Sequence, residues 1–204
     1  MAGEYKKIVI VTGGSSGIGR WTASALRDSG CIVYEFSRRN IPLEGITHLS
    51  VDVTDENAVN SAVKQIIQKE TKIDVVINCA GFGISGAVEF TSTDQAKAQF
   101  DVNFFGTVNV NKAVLPFMRH QGYGHIINIS SVAAVAHIPF QFFYWQMGNS
   151  LQWDISTTEL IDNTTAVSQS GCCAAPNART SASNNYNLLI FYLYALFKMQ
   201  WYHP

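Results

Sequence analysis

A glycine-rich turn, Thr12 to Gly19, follows the apolar β-branched run Ile8 to Val11 and leads into a helical pattern. A strand, a turn and a helix N-terminus in this order create a place where a phosphate group can bind. Gly13 allows a sharp turn out of the strand, Gly17 lets main-chain N–H groups approach a pyrophosphate, and Gly19 lets the helix pack closely. The turn therefore predicts a dinucleotide site, with a plain structural turn as the alternative.

Composition limits the class of protein. The chain has 204 residues, is 47% hydrophobic and is 14% charged, which suits one α/β domain with a substantial core. A net charge of −1 without a basic run argues against a nucleic-acid partner. The first residues lack the apolar region of a secretory signal, and the apolar stretch 188–197 is too short for a bilayer span. We therefore expect a cytoplasmic protein without a membrane span. The four cysteines show no metal-ligand spacing, so we expect no metal site.

Apolar runs typical of strands alternate with helical patterns. We predict strands at 8–11, 32–36, 46–51, 73–77 and 125–129, and helices at 21–29, 58–67 and 93–111. Thr54 or Asp55 would cap the second helix, and Leu115-Pro116 together with the stretch Gly122 to Gly124 would end the region of the third. Alternation of this kind predicts an α/β fold, a Rossmann-type doubly wound parallel sheet with helices on both faces and ligands at the carboxyl ends of its strands.

Two further expectations concern the core face of the third helix and the C-terminal side of the sheet. Phe100, Phe104 and Val108 lie along one face of the third helix and are expected to pack in the core. Later strands are not recognisable, so the sheet is expected to be incomplete on its C-terminal side.

The residues after the second strand bear on the type of dinucleotide. At this strand end an acidic residue binds a free ribose 2′-hydroxyl, whereas a basic residue suits a 2′-phosphate. Ser37 stands at the acid position, and Arg38 and Arg39 follow it. This pattern favours NADP(H) over NAD(H), with Arg38 the stronger candidate. The alternative is that both arginines only cap a surface loop, which leaves NAD(H) open.

Several motifs in a fixed order resemble the short-chain dehydrogenase/reductase family, in its single-domain branch. They are TGGSSGIG at 12–19, Asp52-Val53, NCAG at 78–81, Asn103 within VNFFG, and IINISS at 126–131 followed by Tyr144. The resemblance implies that Asp52 hydrogen-bonds the adenine beside Val53, and that 78–81 supports the cofactor and the sheet. Together with the glycine-rich turn, it predicts cofactor contacts at Thr12, Gly13, Ser15, Ser16, Gly17, Ile18, Gly19, Arg38, Arg39, Asp52, Val53, Asn78, Ala80 and Gly81.

The resemblance also implies catalytic roles. Ser131 would hold the substrate oxygen, with Ser130 as the neighbouring alternative. Tyr144, thirteen residues later, would be the general acid in reduction and the base in oxidation, unless it only packs among the nearby aromatics. Asn103 would kink its helix and order a water in a proton relay. The family's lysine follows the tyrosine by four residues, where this chain has Gly148, so Tyr144 is expected to stay protonated and to be a poor base.

The sequence changes character after Tyr144. We predict a dinucleotide-binding Rossmann domain over 1–144 and an atypical segment over 145–204. That segment holds three of the four tryptophans and five charged residues, and 164–183 is rich in Ser, Ala, Asn and Cys without periodicity. We interpret it as a foreign C-terminus from a shifted reading frame or alternative splicing, or as a divergent substrate region.

The sequence therefore predicts an NADP(H)-preferring oxidoreductase that interconverts an alcohol and a ketone or aldehyde, weak or inactive because of Gly148. Its partner would be a small-molecule alcohol or carbonyl substrate, and the turn after the second strand is similar to branches acting on hydrophobic alcohols, steroids or retinoids. A non-catalytic dinucleotide-binding or regulatory module, or a truncated unstable product, is the alternative. Family members usually form homo-oligomers through helices that include the one after Tyr144, and that helix is not recognisable here.

Overall fold

A computed structural model describes residues 6–131 and 139–143 of the chain. These residues contain a five-stranded sheet whose strands all pair in parallel, in the order β3-β2-β1-β4-β5. The strands are β1 (Ile8–Thr12), β2 (Ile32–Ser37), β3 (Ile46–Ser50), β4 (Val75–Asn78) and β5 (His125–Asn128). Because the strands are parallel and β1 is central, their carboxyl ends meet at one edge, where the sequence places the glycine-rich turn.

Helices cover both faces of this sheet. They are α1 (Gly17–Asp28), α2 (Glu56–Glu70), α3 (Thr93–Phe100) and α4 (Gly106–Gln121). One core packs α2 and α4 against alternate strand residues such as Ile10 and Phe36, and the other packs α1 against the residues between them, such as Val9 and Val33. The predicted doubly wound α/β fold is confirmed. A sixth strand or its absence lies outside the described residues, as does the whole of 145–204.

The second helix begins where one of two predicted caps places it. Asp55 is the N-cap of α2, and its Oδ1 accepts hydrogen bonds from the main-chain N–H groups of Asn57 and Ala58 at 2.9 and 3.0 Å. Thr54 instead turns toward Asp52, on the strand side of the same turn. Asp55 is therefore the cap, because it accepts from the first turn of α2, whereas the Thr54 hydroxyl donates to Asp52.

The predicted helix 93–111 is wrong in its length and its continuity. It is divided by a π-helical turn, Asp101–Phe105, and it continues through Pro116 to the end of α4. Pro116 lies inside α4 with its ring exposed, and the buried residues Val114 and Met118 on either side of it hold the helix to the core. Gly122, with φ +80°, then ends the helix by donating its N–H to the Met118 carbonyl at 3.0 Å.

The π turn also corrects the expected core face. Phe100, Phe104 and Val108 are only half-buried. A π turn holds an extra residue and so rotates the following helix relative to an unbroken 3.6-residue repeat. The core face of α4 is formed instead by Val110, Ala113, Val114 and Met118. Within the described ranges 6–131 and 139–143, none of the helices has the length and apolar character needed to cross a bilayer.

Candidate functional site

The glycine-rich turn between β1 and α1 is held by two close main-chain approaches. Gly13 has φ +70°, and a Cβ there would lie 2.8 Å from Cα of Ala80. A Cβ on Gly19 would overlap the main-chain oxygen of Gly13. The N–H of Gly13 also donates to the Phe36 carbonyl at the end of β2, at 2.8 Å. Only glycine fits at 13 and 19 without moving the main chain.

Gly17 differs from these two glycines because it opens onto free space. It has φ +53°, and no described atom lies within 4 Å of the place a Cβ would take. Ser16, the N-cap of α1, has extended main chain and makes no side-chain capping hydrogen bond. The N–H groups of the first turn of α1 therefore lie beside an open, uncapped helix N-terminus, which favours an anion. Ser15 is buried in this turn, and Ile18 is half-buried.

Thr12 connects the glycine-rich turn to the loop after β4. Its side chain is almost fully buried, and its Oγ1 accepts hydrogen bonds from the N–H groups of Cys79 and Ala80 at 3.1 and 3.0 Å. These two bonds bring 78–81 against the turn and account for the close approach of Ala80 to Gly13. Burial raises the pKa of the Cys79 thiol to about 12. Cys79 is therefore a packing residue with an un-ionised thiol.

Asn78 is the centre of a network of amides at the carboxyl ends of β4 and β5. Its Nδ2 donates to Oδ1 of Asn111 on α4 and to Oδ1 of Asn128 on β5, at 2.8 Å each. Asn78 and Asn128 are also partners in strand register. Sequence reasoning found Asn78 but not its two partners, although Asn128 lies inside the IINISS motif. The network fixes the spacing of β4, β5 and α4 at the site edge.

Asn103 lies buried in the π turn and pins the loop that follows β4. Its Nδ2 donates to the Phe82 carbonyl at 2.8 Å, and its Oδ1 accepts the Phe82 N–H at 3.0 Å. Its own main-chain oxygen accepts a hydrogen bond from Oγ1 of Thr107 at 3.0 Å. A Cβ on Gly81 would lie 3.2 Å from Oδ1 of Asn103. The helix is irregular at Asn103, and both polar atoms of the Asn103 side chain are hydrogen-bonded to the main chain of Phe82.

The turns after β2 and β3 come together at the other end of the site. Asp52 accepts hydrogen bonds at Oδ1 from the N–H and the hydroxyl of Thr54, at 3.0 and 2.8 Å. Its Oδ2 lies 3.9 Å from Nη1 of Arg38, whose side chain is 72% exposed. Arg39 is exposed as well. This end of the site therefore carries two solvated cations and one carboxylate oxygen that faces Arg38.

Val53 is fixed by α4 from behind. Its carbonyl accepts a hydrogen bond from Nδ2 of Asn109 at 3.0 Å, and a Cβ on Gly106 would lie 2.5 Å from its Cγ2. Gly106 is thus the residue that lets α4 approach the strand edge. Neither Asn109 nor Gly106 was predicted, because their contacts with Val53 join segments more than fifty residues apart.

The predicted catalytic residues are only partly within the described ranges. Ser131 is half-buried and lies three residues beyond β5, at the same edge as Asn78 and Asn103. Tyr144 and Gly148 lie outside the described residues. Residues 140 and 141 contact the loop after β4. The main-chain carbonyl of Phe140 accepts the Gly86 N–H at 2.8 Å, and Nε2 of Gln141 donates to Oγ of Ser85 at 3.3 Å.

Phenylalanines are exposed along this contact. The exposed fractions are 41% for Phe82, 67% for Phe140 and 48% for Phe142. Phe142 also packs edge-to-face on Phe143, with 5.4 Å between ring centroids. These rings are large apolar side chains exposed on the described residues near the site.

Comparison with known proteins agrees with the geometry. The family model for the short chain dehydrogenase matches residues 7–145. A 3-ketodihydrosphingosine reductase of Bacteroides thetaiotaomicron is 48% identical over 141 residues, which cover 68% of this chain and 52% of that protein. The ligand-free aldohexose dehydrogenase of Thermoplasma acidophilum superimposes with a TM-score of 0.71 at 30% identity, covering 74% of this chain and 59% of that one. ElxO with NADP bound gives a TM-score of 0.68 at 30% identity, over 72% and 64%. The chain spans about half the length of the first of these relatives.

Proposed function

Because the chain belongs to the short-chain dehydrogenase/reductase family, we propose that it binds NADP(H) in preference to NAD(H) and interconverts an alcohol with a ketone or aldehyde. The observation that carries this proposal is the arrangement at the carboxyl ends of the strands, which we call the site edge. An uncapped helix N-terminus opens beside Gly17, and two exposed arginines follow the strand end where an acid would select NAD(H).

The residues present fit a phosphorylated dinucleotide. The first turn of α1 and Ser16 would hold the pyrophosphate, since they offer uncapped donors next to open space. Arg38 and Arg39 would hold the 2′-phosphate, and Oδ2 of Asp52 would accept from the adenine amino group. The nicotinamide of the bound cofactor supplies or accepts the hydride. The remaining predicted contacts would line the same dinucleotide site, which we call the cradle: Thr12, Gly13, Ser15, Ile18, Gly19, Val53, Asn78, Ala80 and Gly81.

The chain's own residues would handle the substrate oxygen and the proton. Ser131 would donate to the substrate oxygen, Tyr144 would move the proton, and Asn103 would keep the loop after β4 in place beside them. Position 148, four residues after Tyr144, is glycine where the family has lysine, so the sequence supplies no ammonium at that position. We therefore propose slow turnover at neutral pH.

We further propose that the substrate is a hydrophobic, long-chain ketone or the matching alcohol. The exposed phenylalanines at 82, 140 and 142 would contact an alkyl chain as it enters the site edge. A relative that matches 68% of this chain is called a 3-ketodihydrosphingosine reductase, which acts on a ketone of this kind. The sphingoid ketone is therefore the first compound to test.

A non-catalytic dinucleotide-binding module is the second candidate. Gly148 favours it, because the chain would keep the cradle and lose the group that lowers the pKa of the tyrosine. The oligomeric state, the cytoplasmic location and the lack of a nucleic-acid partner stay predictions.

Two measurements separate these candidates. Fluorescence titration with NADPH and NADH gives the two dissociation constants, and NADPH oxidation against a panel of short and long-chain ketones gives turnover. Tight NADPH binding with slow turnover supports the proposed enzyme, whereas binding without turnover supports the module. In the enzyme, Gly148→Lys should raise turnover by up to about a hundredfold without changing NADPH affinity much. The absence of saturable binding to either cofactor would refute both candidates.

A further inference from the structure

A buried carboxylate lies directly under the glycine-rich turn and has no part in the site described above. Glu35 is 2% exposed, in the middle of β2, where it is in register with Val11 of β1 and His48 of β3. A Cβ on Gly14 would lie 2.5 Å from Cγ of Glu35, so the turn rests on this side chain. Burying a carboxylate is costly unless its oxygens are hydrogen-bonded, so its partners indicate its purpose.

Both oxygens of Glu35 are hydrogen-bonded, and one bond reaches the end of the strand. Oε2 lies 2.9 Å from Nδ1 of His48, whose side chain is 16% exposed. Oε1 accepts a hydrogen bond from the hydroxyl of Ser37. The same hydroxyl oxygen lies 2.9 Å from the main-chain oxygen of Arg39. The hydroxyl has a single hydrogen, so these two oxygens are alternative acceptors for it. The carboxylate therefore anchors the side chain of Ser37, the first residue of the turn 37–39, which we call the arginine turn.

The position of this carboxylate bears on which cofactor is bound. Side chains two residues apart on a strand share a face, so Glu35 and Ser37 point to the same side of β2. An acid at position 37 would select NAD(H), but that position is serine. The carboxylate is instead on Glu35, two residues earlier, where it accepts a hydrogen bond from the Ser37 hydroxyl. The carbonyl of Ser37 also accepts the N–H of Val51 at 3.2 Å, which fixes Ser37 from the β3 side. The turn that carries Arg38 and Arg39 consequently starts from a main chain held on two sides.

We propose that Glu35 is a positioning residue for cofactor selection. It acts through Ser37 to hold the turn 37–39, so that Arg38 and Arg39 lie at the strand end where a 2′-phosphate would bind. The charge of Glu35 is kept away from that phosphate because its oxygens are engaged by His48 and Ser37. This inference rests on the proposed preference for NADP(H), and the ratio of the NADH and NADPH dissociation constants measures it.

The test compares Glu35→Ala with the matched variant Glu35→Gln. The glutamine amide can accept from the Ser37 hydroxyl and donate to Nδ1 of His48, so it preserves both contacts without the charge. We expect Glu35→Gln to keep the NADH-to-NADPH ratio within about threefold of the wild type, and Glu35→Ala to lower it about tenfold, mainly by weakening NADPH binding. If Glu35→Ala weakened the binding of NADH and NADPH equally, the proposal would be overturned, because a merely structural role affects the whole cofactor site.

Ser37→Ala provides an independent arm, because it removes the hydroxyl and leaves Glu35 paired with His48. It should lower the same ratio about three- to tenfold, and the double variant Glu35→Ala/Ser37→Ala should be no worse than Glu35→Ala alone. Additive effects would overturn the proposal, since Glu35 would then not act through Ser37. If Glu35→Ala does not fold, the ratio measured with Ser37→Ala decides, and an unchanged ratio overturns the proposal. A wild-type protein that binds both cofactors equally refutes the proposed preference itself, which is a separate result.

Discussion

The two ends of the site edge are built on different physical principles. At the β1–β4 end, main-chain atoms and one buried hydroxyl interlock, with Gly13 against Ala80 and Thr12 bonded to two amides. At the β2–β3 end, Arg38 is 72% exposed and lies 3.9 Å from Asp52. A close-packed region tolerates no added atoms, whereas an exposed ion pair is weak and screened by salt. The first end should therefore decide whether a dinucleotide binds, and the second which one.

The largest expected effect tests how completely the interlocked end excludes water. Burial raises the pKa of the Cys79 thiol from 9.0 to about 12, so near neutral pH much less of it is thiolate than in the unfolded chain. Iodoacetamide at pH 8 should therefore alkylate Cys79 on the order of a hundred- to a thousandfold more slowly in the folded protein than in urea, as followed by peptide mass spectrometry. Alkylation at equal rates in both states would mean that this end is open.

The same pKa shift fixes the sign of a stability change. A thiol whose pKa is raised by folding stabilises the folded state fully below about pH 9, and this contribution is lost as the pH rises toward 12. Urea unfolding at pH 8 and pH 11 should show a smaller loss of stability in Cys79→Ala than in the wild type.

The next prediction contrasts three glycines. In Gly19→Ala the new methyl group meets the main-chain oxygen of Gly13, so we expect a loss of about 3–5 kcal/mol in the free energy of unfolding and weaker binding of both cofactors. Gly17→Ala places its methyl group in open space, so it should cost only about 1 kcal/mol but still weaken both cofactors at least tenfold, roughly 1.4 kcal/mol.

Gly30→Ala is the matched control for these variants. Gly30 has φ +86°, has no atom within 4 Å of its would-be Cβ, and follows α1 at the end away from the turn. It should cost about the same 1 kcal/mol as Gly17→Ala and leave both dissociation constants unchanged. A binding defect in Gly30→Ala equal to that of Gly17→Ala would show that strain, and not the open space at Gly17, controls binding.

A smaller effect is expected at the hydroxyl of Thr12. Thr12→Val keeps the shape but leaves the N–H groups of Cys79 and Ala80 without their acceptor, at a cost of about 2–3 kcal/mol by urea unfolding. Thr12→Ser keeps the acceptor and should recover most of that loss. If the valine variant were as stable as the serine variant, the two loops would not depend on this hydroxyl.

The elements of the fold could be predicted because their signals are local. Strand β4 is almost entirely β-branched, and α2 repeats its apolar residues every three or four positions, so both are recognisable in a short window. The apolar period of the third helix did not predict its division, because the π turn is stabilised by Asn103 bonding to Phe82, twenty-one residues earlier. A window of sequence contains no such partner.

The site residues divide in the same way. The glycine positions could be predicted, since their spacing depends on the turn alone. The role of Glu35 could not, because His48 meets it only when β2 and β3 pair, and within IVYEFS it is one polar residue in an apolar strand. The roles of Ser131, Tyr144 and Asn103 stay predictions.

The smallest expected effect is confined to one cofactor and arises at the exposed end. Arg38→Ala should weaken NADPH binding about tenfold and leave NADH binding nearly unchanged, because the guanidinium would contact only the 2′-phosphate. The difference should shrink as salt is raised from 50 to 500 mM, since an exposed charge is screened. Arg119→Ala, an exposed arginine in the last turn of α4, is the control and should change neither constant. If Arg38→Ala weakened the binding of NADPH and NADH by the same factor, the arginine would support the whole cofactor site. The two ends of the site edge would then not act separately.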